Sequence, residues 1–171
     1  TALYKVIGYN GTPLRGALYQ AGLYFESPAA TGPYVPETVN GDAQGNNKQL
    51  TCRQNFTILT TDGYWNNDSN YTQVGEQDNT AGSKIEYSDK SKSYTYIPSA
   101  PYASEYKDTL ADIAMRFWKK DLRTDFIKHD GTNDGIHDNN VPTNPSDPAF
   151  WQHMVTFGIS IGLPGNTGWE S

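Results

Sequence analysis

The order of apolar patterns along the chain predicts an α/β fold built on a parallel sheet. Three observations carry that expectation. Leu14, Ala17, Leu18, Ala21, Gly22 and Phe25 fall at helical spacing and make one narrow apolar face. The run Asn55 to Thr61, with Phe56, Ile58 and Leu59, reads as a buried strand that opens into a loop. A second helical face (Leu110, Ile113, Ala114, Phe117, Trp118) then precedes a strict alternation of Val155, Phe157, Ile159, Ile161 and Leu163. Strand, helix, strand in that order makes a parallel pair.

The punctuation between these patterns supports the same order. Leu3 to Ile7 read as the tail of an earlier element. Thr12 is placed as an N-cap, with Pro13 at the first helical position. The small residues Ala17, Ala21 and Gly22 predict close packing of that helix against a sheet. Residues 26–51 form a loop rich in Pro, Gly and Asn. Residues 64–103 read as a polar insertion without a core of its own. At most it carries a hairpin around Lys84 to Tyr87 and Ser93 to Ile97, ended by Pro98 and Pro101. Ser104 is the expected cap of the second helix. Lys119, Lys120 and Arg123 sit near its end, where positive charge suits the helix dipole. Residues 121–149 form an acidic loop. In the last strand Thr156, Gly158, Ser160 and Gly162 make the small face, over which a helix can pack closely. Two strands do not make a stable sheet. Residues 1–171 therefore read as a single partial domain, its other strands expected before Thr1 or after Ser171.

Composition narrows the partners. The chain has 171 residues, of which 36% are apolar, and a mean hydropathy of -0.70, low for a compact domain. Four Trp, six Phe and twelve Tyr nevertheless supply large faces to bury. A net charge of -6 and a pI near 4.9 argue against nucleic acid and anionic membrane, and are compatible with divalent cations. No apolar run approaches the roughly 18 residues of a membrane span. No signal-peptide pattern or initiator Met stands at Thr1, so the sequence reads as an excised piece. The single Cys52 is either a reduced buried thiol or half of a disulfide with a partner elsewhere.

Two stretches carry oxygen ligands. In Thr60-Thr61-Asp62-Gly63 a carboxylate sits where a strand opens into a loop, and Thr12 offers a hydroxyl at a helix start. Ligands of open α/β sheets bind at the carboxyl ends of strands, so Thr12 and Asp62 are candidate partners of one hard cation. Two oxygens are too few alone, and Asp-Gly after a strand is most often only a turn. In the second stretch Asp130, Thr132, Asp134 and Asp138, with Gly135 at the sixth place, follow the spacing of a calcium loop. Thr replaces the usual carboxylate at the third place and no Glu follows at the twelfth. The competing reading is a solvated acidic loop. His129, His137 and His153 lack zinc spacing, and His153 reads as a packing residue entering the last strand. No nucleophile elbow or glycine-rich phosphate loop is present, so the chain reads as a non-enzyme.

The longer strings carry a resemblance. GTPLRGAL and a strand ending in TDG resemble two parts of the metal-ion-dependent adhesion site of von Willebrand factor A domains. CRQNFTILTTDGYWNN, YKDTLADIAMRFWKKDLR and NNVPTNPSDPAFWQHMVTFGISIGL resemble the N-terminal region of the type IV pilus tip-associated adhesin and biogenesis family (PilY/PilC-type). Together these strings cover about half of the chain.

The resemblance implies a von Willebrand factor A-like, Rossmann-like three-layer domain, here partial and with long polar insertions. It implies an extracellular place at the pilus tip, associated with the outer membrane or cell surface. Its partners would be a host-cell or surface ligand and minor pilus subunits. Thr12 and Asp62 would be ligands of Mg²⁺ or Mn²⁺ in the intact domain. The family's Asp-x-Ser-x-Ser motif is not found in the sequence, and the loose look-alike Ser88 to Ser93 has no strand before it. The cation site is therefore expected to be incomplete here. Two alternatives stand beside adhesion: a structural tip module joining minor pilins with a vestigial site, and a secreted carbohydrate-active enzyme.

Overall fold

The computed structural model describes residues 11–28, 32–34, 50–63, 73–126 and 138–161. Helix α1 spans Leu14–Glu26, strand β1 Asn55–Thr61, β2 Ile85–Glu86, β3 Ser93–Tyr94, helix α2 Leu110–Trp118 and strand β4 Met154–Ser160, with a 3-10 turn at Thr124–Phe126. β1 and β4 pair in parallel, Asn55 opposite Met154 through Thr61 opposite Ser160. β2 and β3 pair antiparallel as a separate hairpin. The α/β class and the parallel pairing agree with the sequence pattern.

The two faces of the parallel pair differ sharply. Thr57, Leu59 and Thr61 alternate inward on β1, toward the helices, while Phe56, Ile58 and Thr60 point outward and are exposed. Phe157, Ile159 and Ile161 share that outer face, and the Phe56 and Phe157 rings lie 6.1 Å apart. The helices meet this side of β4 at Met154, in the core, but Gly158 and Ser160 are exposed and no atom lies within 4 Å of a Cβ built on Gly158, so the close helix packing expected over the small residues is not found there. Helix packing depends on one close approach. A Cβ built on Gly22 of α1 would meet the Phe117 ring of α2 at 2.3 Å. Leu18, Ile113, Phe117, Leu122 and Met154 make the core beneath.

Within the expected insertion, the described residues 73–103 take part in a core. Ile85 joins Ala149, Phe150 and Trp151 in a second core, with Tyr87, Tyr94 and Trp118 packed against it. Trp151 stacks 5.2 Å from Tyr94 and stands 5.6 Å from Trp118, edge to face. The expectation of a coreless excursion failed because it counted aliphatic residues, whereas here aromatic rings supply the buried area.

Three local expectations are corrected. Pro13, not Thr12, occupies the N-cap position of α1, and no side chain caps it. α2 is capped by Thr109, whose hydroxyl accepts from Asp112 N while the Asp112 carboxylate accepts from Thr109 N, a reciprocal capping box. Ser104 instead donates its backbone N–H and hydroxyl to Asp78. Arg123 lies past the end of α2 and is buried, so its role is not the helix dipole. Its guanidinium sits 3.9 Å over the Phe126 ring, and Nε and Nη2 donate to Asp125 at 2.8 and 2.7 Å.

Candidate metal centre

Hydrogen bonds at the helix ends fix where the sequence-predicted ligands lie. Arg15 Nη1 donates to Asp108 O at 3.2 Å, joining the start of α1 to the start of α2. Lys120 Nζ donates to Glu26 Oε1 at 2.8 Å, joining their ends, so the two helices run parallel. Trp151 Nε1 donates to Trp118 O, and Leu122 N to Gln152 O, both at 2.8 Å. The end of α2 thus adjoins the start of β4, and both helices run against the strands. The start of α1 therefore lies at the carboxyl end of the parallel pair. Thr12 directly precedes α1 and Asp62 directly follows β1, both exposed. Asp62 thus stands at the carboxyl end of β1 and Thr12 at the start of α1.

The Asp62 turn is built by its neighbours. Gly63 takes a φ of 96°, a conformation glycine adopts freely, and its N–H donates to Thr61 Oγ1 at 3.0 Å. Backbone curvature at the strand end is thus supplied by Thr61 and Gly63.

The calcium-loop candidate lies only partly among the described residues. Asp130, Thr132 and Asp134 lie outside the described residues. Asp138 is fully buried, and its carboxylate accepts from Ser88 Oγ at 2.7 Å, Ser88 N at 3.1 Å and Asn139 N at 2.7 Å. It ties the acidic segment to the hairpin. The look-alike Ser88 to Ser93 is the hairpin turn and the first residue of β3, and within the turn Asp89 Oδ1 accepts from Ser91 N at 2.8 Å and Ser91 Oγ at 2.5 Å.

A cluster that sequence reasoning missed lies beside α2. Glu76, Asp78 and Asp112 each place an oxygen within 4.8 Å of the others, an arrangement that could hold a metal ion. Each carboxylate also serves the fold. Asp112 Oδ1 accepts from Gln77 N at 2.7 Å, its Oδ2 accepts from Thr109, and Glu76 Oε1 accepts from Asn79 N at 2.9 Å. Burial works to raise the Asp112 carboxyl, but the hydrogen bonds from Thr109, Gln77 and Asp78 outweigh it and hold it below the usual range. A cation of the chain's own stands nearby: Lys119 Nζ donates to Gln77 O at 2.5 Å and Thr80 O at 2.8 Å. Burial lowers its ammonium, against the attraction of Glu76, Asp112 and Asp78. The sequence signal for this cluster was the Thr109-x-x-Asp112 spacing of a capping box. Nothing in sequence order announces Glu76 and Asp78 as its neighbours.

His153 is buried at the entry to β4, as its setting predicted. Nδ1 lies 2.6 Å from Trp151 O and Nε2 3.0 Å from Asp147 Oδ2. Cys52 is exposed in the turn before β1. None of the described helices is long and apolar enough to cross a membrane.

Comparison with known proteins supplies the family. The chain is 37% identical to the type IV pilus biogenesis factor PilY1 of Pseudomonas aeruginosa strain PAO1 over 176 residues, covering 94% of this chain and 13% of that protein. It is 37% identical to PilY1 of strain PAK over 171 residues, and 34% identical to PilY1 of strain UCBPP-PA14 over 161 residues, 90% of this chain in each case. The chain thus spans about an eighth of the length of these relatives. No family profile and no solved structure matches it. Near-full coverage of the chain at this identity places it in the PilY/PilC-type family of type IV pilus biogenesis factors.

Proposed function

We propose that this chain is part of a non-catalytic adhesion and pilus-biogenesis module, displayed outside the cell at the tip of a type IV pilus. In this reading it binds a host-cell or surface ligand through a metal-dependent site of the von Willebrand factor A kind. The reading is supported by the parallel β1–β4 pair, with Asp62 directly after β1 and Thr12 just before α1, together with the biogenesis role that the names of the relatives state. Hydroxyl and carboxylate oxygens fit a hard ion such as Mg²⁺ or Mn²⁺ in kind. Two of them fall short in number, so the intact domain supplies the remaining ligands from elsewhere. A bound ion would offer an open coordination position to a ligand carboxylate, while Gly63 and Thr61 set the turn that presents Asp62.

The test is ion-dependent adhesion of the full-length protein. Asp62→Ala abolishes binding supported by Mg²⁺ or Mn²⁺ and leaves the far-UV circular dichroism spectrum unchanged. Undiminished binding by that variant removes Asp62 from the mechanism and favours the structural reading, a module that joins minor pilins.

Calcium is a separate part of the proposal. Asp130, Thr132 and Asp134 would supply the ligand oxygens, with Asp138 anchored on Ser88. Calorimetric titration of this chain with Ca²⁺ gives at most one site, lost in Asp134→Ala. Heat that survives the substitution rules this loop out.

A further inference from the structure

The charges of this acidic chain are unevenly placed. A cleft of about 640 Å³ opens between the β2–β3 hairpin and the end of α2. Lys84 and Lys90 line it from the hairpin, and Arg116, Lys119 and Lys120 from the helix. These are five of the chain's thirteen Lys and Arg. Among the described residues, Glu86 and Asp121 are the acids that line the cleft. A locally positive cleft on a chain of net charge -6 does not follow from composition.

Two of these lysines already hold carboxylates of the chain itself. Lys84 Nζ lies 2.5 Å from Glu86 Oε1 and Lys120 Nζ 2.8 Å from Glu26 Oε1. Both lysines are about half exposed or more, and exposed pairs of this kind are worth only ~0–1 kcal/mol, so an incoming carboxylate exchanges for them readily. Arg116 also lines the cleft; its Nε is buried, so contact with an incoming carboxylate falls to the outer nitrogens of the guanidinium. Lys119 is committed to the Gln77 and Thr80 carbonyls and is not counted among the binding groups. Burial pushes the Asp121 carboxyl above its usual range, which weakens the acid that lines the cleft on the helix side.

We propose that this cleft is a docking site for a short acidic peptide segment of a partner protein, with Lys84, Lys90, Arg116 and Lys120 as its carboxylate-binding groups. A peptide fits better than an extended polyanion. Screening confines the favourable field to roughly 8 Å, and beyond that distance the net negative chain repels a long polymer. Lysine, a compact point charge on a flexible stem, dominates the lining, whereas arginine forks are the usual choice for phosphate. This inference is independent of the metal-dependent reading, since no residue is shared with Thr12 or Asp62.

The test uses this chain and a fluorescein-labelled deca-glutamate peptide, read by fluorescence anisotropy at 0.15 M salt (about physiological ionic strength). Lys84→Glu and Lys120→Glu are compared with Lys107→Glu, which changes net charge equally but lies outside the cleft. The expected result is binding that weakens about threefold to tenfold in each cleft variant and hardly at all in Lys107→Glu. Equal weakening in all three variants overturns the proposal, because net charge alone then explains binding. Absence of binding by the parent chain overturns it as well, and so does preference for a sulfated polysaccharide over the peptide. Unchanged circular dichroism spectra of the variants keep a folding defect from imitating the result.

Discussion

His153 and Asp147 meet where the acidic segment turns into β4, with Nε2 3.0 Å from Oδ2, while Trp118 Nε1 donates to the other carboxylate oxygen at 3.1 Å. One carboxylate thus joins the last residue of α2 to the strand that α2 leads into. Burial works to raise the Asp147 carboxyl, but His153, Trp118 and the Ala149 N–H together bring it below the usual range. A carboxyl lowered on folding stabilises the native state above its unfolded value of about 3.9. That stability is lost as pH falls through the lower, folded value.

Asp147→Asn therefore costs about 1–3 kcal/mol at neutral pH, the range for a charged hydrogen-bond group in a partly buried setting. The penalty shrinks as the medium is acidified below the unfolded value, because the parent chain then loses the same charge. Urea unfolding of both proteins at neutral and at acidic pH measures it. A penalty that stays constant with pH contradicts the assignment.

Asp121 runs the other way. It is buried, its Oδ1 accepts from Arg123 N at 2.9 Å, and the Asn139 side chain adds a second hydrogen-bond contribution that opposes burial. Burial raises its carboxyl above the usual range. A raised acid contributes stability that is complete below the unfolded value and is lost as pH rises through the folded one. Asp121→Asn keeps an acceptor for Arg123 N and removes the buried charge, so it leaves stability unchanged or increases it at neutral pH. Thermal unfolding at neutral pH reads the sign, and a fall of several degrees in Tm refutes it.

Gly22 tests the helix pair. Alanine normally gains about 1 kcal/mol over glycine in a helix. Here the added methyl would meet a rigid ring at 2.3 Å, and overpacking of that kind costs about 1–3 kcal/mol or more. Gly22→Ala accordingly lowers stability in chemical denaturation, and Phe117→Leu in the same chain recovers part of the loss by removing the ring.

The sequence revealed the elements that repeat and hid those that depend on distant partners. α1, β1, α2 and β4 carry periodic apolar patterns, and their parallel arrangement follows from their order. The second core was hidden because Ile85 and Tyr94 meet Phe150 and Trp151 across more than fifty residues, in a stretch whose polar composition resembles a loop. The cap of α2 was misplaced for a similar reason: Ser104 and Thr109 both suit the role by type. Only the contact of Ser104 with Asp78 removes it from contention. Of the proposed ligands, Thr12 and Asp62 were legible as motif positions, whereas Glu76 and Asp78 reach Asp112 only through tertiary folding.

Lys119 decides how that last cluster behaves toward metal ions. Its ammonium joins the carbonyls of Gln77 and Thr80 and faces the field of three carboxylates, which is the task a bound cation would perform. Lys119→Met leaves two carbonyls without their donor and three carboxylates without their counter-charge. The expected cost is about 1–3 kcal/mol in the absence of divalent ions. Millimolar Ca²⁺ or Mg²⁺ should restore part of that loss in the variant, because the vacated oxygens are hard ligands. In the parent chain the same ions should have a smaller effect through this cluster, since the ammonium already holds the two carbonyls and offsets part of the negative charge. Thermal unfolding of both proteins with and without each ion reads the difference. Equal responses in parent and variant would show that Lys119 does not stand in for a metal.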